Sequence, residues 1–138
     1  EILLGCYSGK VYKLDLFGVI KAVYLTPENN EEIYESASPI KFVHMCGEYM
    51  HICFCSYLYI LKDDVVINTI KIFKDTIKWF NSGFLKKYNK SISIYNKSGQ
   101  YLGSLKFKNI IKNICFDSGI LLVETAKKVF SFKLEGLK

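Results

Sequence analysis

The stretch TIKWFNSGFLKKYNKSISIYNKSGQYLGSLKF (residues 76–107) decides the fold of this chain. It contains four short runs rich in β-branched and aromatic residues, separated by positions that favour turns, such as Asn81-Ser82-Gly83 and Ser98-Gly99. The last run, Tyr101 to Phe107, shows the alternation of apolar and polar residues that is typical of a strand with one buried face. We therefore predict four short antiparallel strands joined by tight turns.

This unit recurs along the chain. Turn clusters at Cys46-Gly47-Glu48, Asn81-Ser82-Gly83 and Asp117-Ser118-Gly119 place glycines at 47, 83 and 119, a spacing of 36 residues. A period of about 20–50 residues indicates structural repeats that stack on one another. A second set of turn-forming sites closes the last hairpin of each unit, at Phe17-Gly18, Asp63-Asp64, Ser98-Gly99 and Glu135-Gly136.

An all-β chain built of such four-stranded antiparallel units has the organisation of a partial β-propeller. We predict one propeller segment over residues 1–138, with partial blades at 1–25 and 109–138 and full blades at 39–73 and 76–107. Residues 26–38 are predicted to be an insertion loop between blades. Because so few blades cannot close a ring, we expect the remaining blades elsewhere in a longer parent protein, with an open curved array of sheets as the alternative.

Residues Ser8 to Asp15, which read SGKVYKLD, together with Gly18 resemble the blade signature of WD-repeat and quinoprotein-like propellers. The resemblance implies a propeller fold and a scaffold role. The Gly-His and Trp-Asp dipeptides of true WD repeats are missing, and the equivalent strand ends carry Asp15, Lys62, Asn96 and Lys133. The cofactor-stacking Trp and the calcium-binding acidic pair of quinoprotein enzymes cannot be placed, so we expect no cofactor.

The basic charge suggests two classes of partner. The formal net charge is +6, and all 19 basic residues are Lys. Arg supplies the planar fork that reads guanine and clamps phosphate, so its absence disfavours a dedicated nucleic-acid reader. Lysines along strands are more typical of a solvated face that discourages edge-to-edge pairing. We expect other proteins and the remaining blades as partners, and keep as the alternative a nucleic-acid-associated propeller with a Lys-rich face.

The insertion loop is the predicted site of protein contact. It carries four of the 13 acidic residues of an otherwise basic chain, and one tyrosine. Loops carry binding more often than the strands that position them. The candidate residues are Glu28, Glu31, Glu32, Tyr34 and Glu35, and the alternative is a solvated connector.

One hairpin concentrates soft metal ligands. On neighbouring antiparallel strands, His44 and Cys46 share a face, as do His51, Cys53 and Cys55. Four such ligands could approach the tetrahedral geometry of zinc, yet a Cys-x-Cys spacing differs from the usual Cys-x-x-Cys knuckle. Cysteine also packs as a small buried hydrophobe. We expect packing and no metal site.

Neither catalysis nor membrane insertion is expected. The sequence contains no Gly-x-Ser-x-Gly elbow and no phosphate-binding loop, and the paired carboxylates of Asp63 and Asp64 fall at a hairpin tip. We therefore expect neither an enzyme nor a small-molecule substrate. The apolar stretch from His51 to Leu61 is too short to span a bilayer. The five cysteines lie in apolar segments, which is typical of a reducing compartment, and we expect a cytoplasmic or nuclear location.

Overall fold

The computed structural model describes residues 2–5, 10–25, 40–54, 56–72 and 75–134. Within these ranges the chain consists of β-strands and turns, with no helix. The strands form four antiparallel sheets, and in each sheet they follow one another in chain order. The prediction of an all-β chain with four-stranded antiparallel repeats, a partial β-propeller, is confirmed.

The chain divides into two compact units, Glu1–Phe73 and Lys74–Lys138. The first unit contains a three-stranded and a four-stranded sheet. Their strands are β1 Ile2–Gly5, β2 Lys10–Leu14 and β3 Ile20–Leu25, followed by β4 Ile40–Cys46, β5 Tyr49–Phe54, β6 Tyr57–Lys62 and β7 Val65–Lys71.

The second unit contains a four-stranded sheet and then a three-stranded one. Their strands are β8 Thr76–Phe80, β9 Gly83–Tyr88, β10 Ser91–Asn96 and β11 Tyr101–Lys106, followed by β12 Ile111–Asp117, β13 Ile120–Thr125 and β14 Val129–Lys133. The prediction of a single segment over 1–138, with its blade limits, stays a prediction.

The hairpins that close the repeats use two different devices. After β2, the Asp15 carboxylate accepts hydrogen bonds from the backbone N–H groups of Phe17 at 2.8 Å and Val19 at 3.0 Å. The Asn96 side-chain oxygen does the same after β10, with Gln100 N at 2.9 Å. Such Asx turns satisfy backbone donors that a tight turn exposes. Asp15 and Asn96 thus form the same kind of turn at the ends of β2 and β10.

Lys62 stands at the equivalent strand end of the second sheet, and its side chain has no acceptor with which to build an Asx turn. The next two residues, Asp63 and Asp64, instead adopt left-handed backbone angles with φ of 50° and 66°. Two successive residues with positive φ form the type of turn that matches the twist of a two-stranded hairpin. The aspartate pair is therefore part of an exposed turn, which agrees with the reading of its sequence.

The three glycines of the 36-residue period are needed for different reasons. Gly47 and Gly119 have positive φ, 65° and 78°, which residues with a Cβ rarely adopt. Gly83 lies where the backbone of β10 approaches β9, and a Cβ there would collide with the carbonyl oxygen of Tyr95. The 36-residue glycine period therefore has two separate steric causes, a positive φ at two of the turns and a close backbone contact at the third.

The central strands of the four-stranded sheet of the first unit, β5 and β6, are buried on both faces, whereas the edge strand β7 is mostly exposed. One face is a cluster of buried side chains with two half-buried neighbours: Met50, Ile52, Tyr59 and Leu61, packed against Leu3 and Val43. The opposite face is also buried at its centre, where His51, Cys53, Leu58 and Ile60 are almost completely inaccessible. Strands buried on both faces tolerate the near-continuous apolar run of β6.

The core of the second unit lies between its two sheets. Leu85 and Ile92 from the four-stranded sheet pack with Leu121 and Val123 from the three-stranded sheet, and all four are fully buried or nearly so. Complete burial of one such aliphatic side chain stabilises a fold by about 1.5–3 kcal/mol. The aromatic ring of Phe107, on the β11–β12 connection, packs against the same cluster.

The other face of the three-stranded sheet is exposed. Residues on β13 alternate strictly, so that Leu121 and Val123 face the core while Ile120 and Leu122 face outward. Val129 on β14 is exposed as well. We call these three residues, Ile120, Leu122 and Val129, the open face of the second unit.

Candidate interaction surfaces

The predicted acidic contact site cannot be placed. Glu28, Glu31, Glu32, Tyr34 and Glu35 all fall within residues 26–39, outside the described part of the chain. Their role in binding stays a prediction.

The hairpin of β4 and β5 brings its histidines together. His44 lies directly opposite His51 in the strand register, and Cys53 is opposite Phe42 on the same face. His51, Cys46 and Cys53 are buried, and Cys55 lies outside the described residues. Burial also lowers the pKa of the half-buried His44 below its usual value of 6.5, because the charged ring would lose hydration.

The structure describes only part of this hairpin's set of candidate metal ligands. Among the described residues, no group of three or more His, Cys, Asp or Glu side chains could hold a metal ion. The geometry gives a mostly buried sheet face, on which two adjacent imidazoles and small thiols lie beside the aliphatic side chains of Leu58 and Ile60.

The lysines are distributed unevenly between the two units. Residues 74–138 contain 13 Lys and 4 acidic residues, a formal charge of +9, whereas residues 1–73 contain 6 Lys and 9 acidic residues, a formal charge of −3. The excess of lysine therefore lies in the second unit. The signal was present in the sequence, because no Asp or Glu occurs between Thr76 and Phe116.

Three loops of the second unit meet at one end of its sheets. The backbone N–H of Phe107 donates to the carbonyl of Lys90 at 2.8 Å, and that of Ile111 donates to the carbonyl of Asn89 at 2.9 Å, which joins the β9–β10 and β11–β12 loops. The β13–β14 turn lies at the same end, since Ile111 pairs with Thr125 in the sheet register.

Local hydrogen bonds make this end a defined surface. The buried Thr125 hydroxyl donates to the carbonyl of Lys128 at 3.2 Å, and the Thr125 N–H donates to the same oxygen at 3.0 Å. The Lys87 ammonium donates to the carbonyl of Ile111 at 3.3 Å and so ties the first sheet of the unit to the second. Side-chain caps of this kind hold short turns in one conformation.

Six lysines surround this end, and we call the surface they form the lysine end. They are Lys87, Lys90, Lys106, Lys108, Lys127 and Lys128. Among the described residues, none of the six takes part in an ion pair. The nearby carboxylate of Asp75 is paired with Lys86 instead, at 3.4 Å. Burial raises the pKa of Asp75 above its usual 3.8, and the Lys86 ammonium opposes that rise.

Two cavities open at the lysine end, and Phe107 lines both. One has a volume of about 240 Å³, is mostly apolar, and is lined by Phe107, Lys108, Asn109, Thr125, Lys128 and Phe130. The other, more open, also measures about 240 Å³ and is lined by Tyr88, Asn89, Lys90, Ser91, Lys106 and Phe107. A cavity of about 150 Å³ suffices for a benzene molecule, so each has room for one large side chain.

The aromatic rings around Phe107 are already in contact with one another. Phe107 packs edge to face against Phe130, with ring centroids 5.1 Å apart, and against Phe132 at 6.0 Å. The Lys128 ammonium lies over the Phe130 ring, 5.1 Å from its centroid. These contacts occupy part of each ring, and the rest of Phe107 and Phe130 lines the apolar cavity, while Tyr88 is exposed.

A third cavity lies elsewhere in the second unit, between β8–β9 and β12–β13. It measures about 240 Å³ and is lined by Lys78, Trp79, Leu85, Ile114, Cys115, Phe116 and Leu121. The thiol of Cys115 is free and exposed. In the part of the chain that the structure describes, no helix is long and apolar enough to cross a membrane.

The four antiparallel sheets, two of four strands and two of three, give this chain the fold of β-propeller blades. No protein-family model matches the sequence, and no curated protein matches it.

Solved structures with the same fold include three propellers. BBS1N, crystallised in complex with ARL6DN, matches 95% of this chain with a TM-score of 0.65 and 13% identity. Saccharomyces cerevisiae Sqt1 matches 99% with a TM-score of 0.63 and 11% identity. The WD40 domain of Neurospora crassa Pan2 matches 99% with a TM-score of 0.58 and 11% identity. This chain spans 42–44% of the length of those chains. At such identities, the similarity shows the fold alone.

Proposed function

We propose that this chain is a non-catalytic protein-interaction module, a propeller segment of a larger scaffold or complex subunit. The fold supports this role, since a propeller places many loops on a rigid set of sheets where partners can bind. One protein of the same fold, BBS1N, was crystallised in complex with another protein, ARL6DN.

The exposed side chains of the open face support the proposal that the chain is part of a larger propeller. Propeller blades bury their faces by stacking on neighbours. In the first unit the central strands β5 and β6 are buried on both faces, and only the edge strand β7 is mostly exposed. In the three-stranded sheet of the second unit even the central strand, β13, has one exposed face, where Leu122 leaves 39% of its surface exposed, and the neighbouring Val129 leaves 61%. We assign the remaining blades of the parent protein as the partner that covers this face.

The association state of the purified chain tests this assignment. We expect concentration-dependent self-association in analytical ultracentrifugation, because an uncovered apolar sheet face favours contact with another copy. The double variant Leu122→Glu/Val129→Glu should be mainly monomeric. A matched control is Val65→Glu/Val66→Glu on β7, whose parent residues are exposed by 61% and 39%. A monodisperse, cooperatively melting monomer of the unmodified chain would contradict the assignment.

The protein-interaction role itself is tested by capture and reconstitution. Immobilised chain should retain a protein from a cell lysate, and the purified captured protein should bind saturably in titration calorimetry. If nothing but nucleic acid is retained, and nuclease treatment removes it, the second candidate function replaces the first. That candidate is a nucleic-acid-associated propeller, and the concentration of lysine at one end of the second unit favours it.

We also propose a cytoplasmic or nuclear location. The exposed thiol of Cys115 supports it, since a reducing compartment keeps such a group from oxidising. Fractionation of cells that produce the tagged full-length parent protein tests this proposal, and recovery from the secretory pathway would overturn it.

A further inference from the structure

We propose that the lysine end binds an acidic segment of a partner protein, whose carboxylates pair with the lysines while one apolar side chain enters the cavity lined by Phe107 and Phe130. This inference rests on the proposed protein-interaction function and names the chemistry of the partner. Its elements are the charge of the surface, the shape of the cavity, and the state of the aromatic rings.

The positive charge of the lysine end favours binding of an anionic partner. Six lysines converge on three loops, and none of them is paired with a carboxylate among the described residues. Like charges held close together repel one another, and a partner that supplies carboxylates relieves that repulsion. Lys90, Lys108 and Lys128 are exposed, so their ammonium groups are accessible to such a partner.

The shape of the surface calls for an apolar anchor as well as charge. The cavity beside Phe130 is lined mostly by apolar surface, with Lys108 and Lys128 at its border. A buried apolar centre inside a charged rim is the usual organisation of a protein-binding surface. Its volume of about 240 Å³ is sufficient for one Leu or Phe side chain.

The aromatic rings favour a peptide over a nucleic acid. Binding of a single strand depends on open ring faces on which bases stack. Phe107 and Phe130 instead pack edge to face, and Lys128 covers the Phe130 ring. Tyr88 is the one exposed ring among the residues that line the two cavities at this end. The sequence has no Arg for bidentate contacts to bases.

Fluorescence anisotropy with defined probes tests the proposal. The first probe is a labelled peptide of about twelve residues, mostly Glu and Asp, with Leu and Phe at its centre. The second has Ser in place of the Leu and Phe, and the third is a single-stranded oligonucleotide of similar length. Each is titrated with the full chain and with the variant Lys90→Glu/Lys108→Glu.

The matched control is Lys78→Glu/Lys133→Glu. It makes the same charge change in the same unit, on exposed residues that lie away from the lysine end. We expect the first peptide to bind, and the Lys90/Lys108 variant to bind it about tenfold more weakly while the control changes by less than about twofold. The serine peptide should also bind about tenfold more weakly, because it lacks the apolar anchor.

Three outcomes would overturn the proposal: no binding of the first peptide, equal loss in the control variant, or tighter binding of the oligonucleotide. Equal loss would mean that net charge acts without a defined site. The proposed function fails separately, when no protein partner is captured and reconstituted. If a captured partner binds the Lys90→Glu/Lys108→Glu variant as tightly as the unmodified chain, the protein-interaction role stands and the lysine end is not its site.

Discussion

The two units of this chain use the same antiparallel strand order but carry opposite charge. The first unit, Glu1–Phe73, has a formal charge of −3 and contains both histidines, whereas the second, Lys74–Lys138, has a charge of +9 and contains none. The buried residues that define the sheets are similar in kind, since both cores consist of aliphatic and aromatic side chains. The two units therefore differ in charge although their strand order and core composition are similar.

The largest effect is expected from truncating the core of the second unit. Leu121→Ala removes a fully buried side chain from the cluster between the two sheets, and should lower the free energy of unfolding by about 2–5 kcal/mol. Leu122, the next residue, faces outward, so Leu122→Ala should change stability by no more than about 0.5 kcal/mol. Urea denaturation measures both. Similar losses in the two variants would contradict the assigned orientation of β13.

The next effect concerns two glycines at equivalent turns. Gly83→Ala should destabilise the second unit by about 1–3 kcal/mol, because the new methyl group collides with the Tyr95 carbonyl. Gly119→Ala meets no atom within 4 Å, and should cost about 1 kcal/mol through its backbone angle alone, with φ of 78°. Thermal melting compares the two. A larger loss for Gly119→Ala than for Gly83→Ala would contradict the close approach of β9 and β10.

A smaller effect is expected in how the stability of each unit depends on pH. The pKa of His44 is lowered by burial, so the unfolded first unit binds its proton at higher pH than the folded unit does. Above pH 6.5, His44 is uncharged in both the folded and the unfolded unit and does not reduce the free energy of unfolding. As the pH falls from 6.5 through the lowered pKa of the folded unit, proton uptake by the unfolded unit reduces that free energy. The pKa of Asp75 is raised, so acidification below that raised pKa increases its contribution to the stability of the second unit.

Hydrogen exchange measured by mass spectrometry gives the exchange rates of the backbone amides in each unit separately. Lowering the pH from neutral through 6.5 should speed exchange, after correction for its intrinsic pH dependence, in β4 and β5. His44→Gln should remove much of that change, and Asp75→Asn in the second unit serves as the control that leaves it intact. An unchanged pH response in His44→Gln would show that another group is responsible.

Most of the fold followed from local patterns in the sequence. Alternating apolar residues and periodic turn clusters predicted the strands, since a period of two and a glycine with positive φ are local properties. The Asx turns were also readable, because Asp15 and Asn96 carry the side chains that form them. The steric constraint at Gly83 could not be predicted from the sequence. The Tyr95 carbonyl that excludes a Cβ there is brought close by the pairing of β9 with β10, and not by neighbours of Gly83 in sequence.

The lysine end was harder to predict than the fold. Lys90, Lys108 and Lys128 belong to three separate loops, and their meeting depends on hydrogen bonds such as Phe107 N to Lys90 O. The sequence showed an excess of lysine without showing where it converges. The long stretch without Asp or Glu could have indicated which half of the chain carries it. The hydrophobic cavity beside Phe107 could not have been found, because it arises from the packing of β11–β12 against β14.

The smallest effect is expected from the acidic segment of the first unit, which sharpens the contrast in charge between the units. Glu31→Lys and Tyr34→Ala should each weaken binding of a captured partner by less than about tenfold, since single contacts at the rim of an interface contribute little to affinity. Titration of the purified partner measures this, with Lys21→Glu as a control of opposite sign in the same unit. If both variants bind as tightly as the unmodified chain, the segment is a connector, and the specificity of this chain resides in the basic unit.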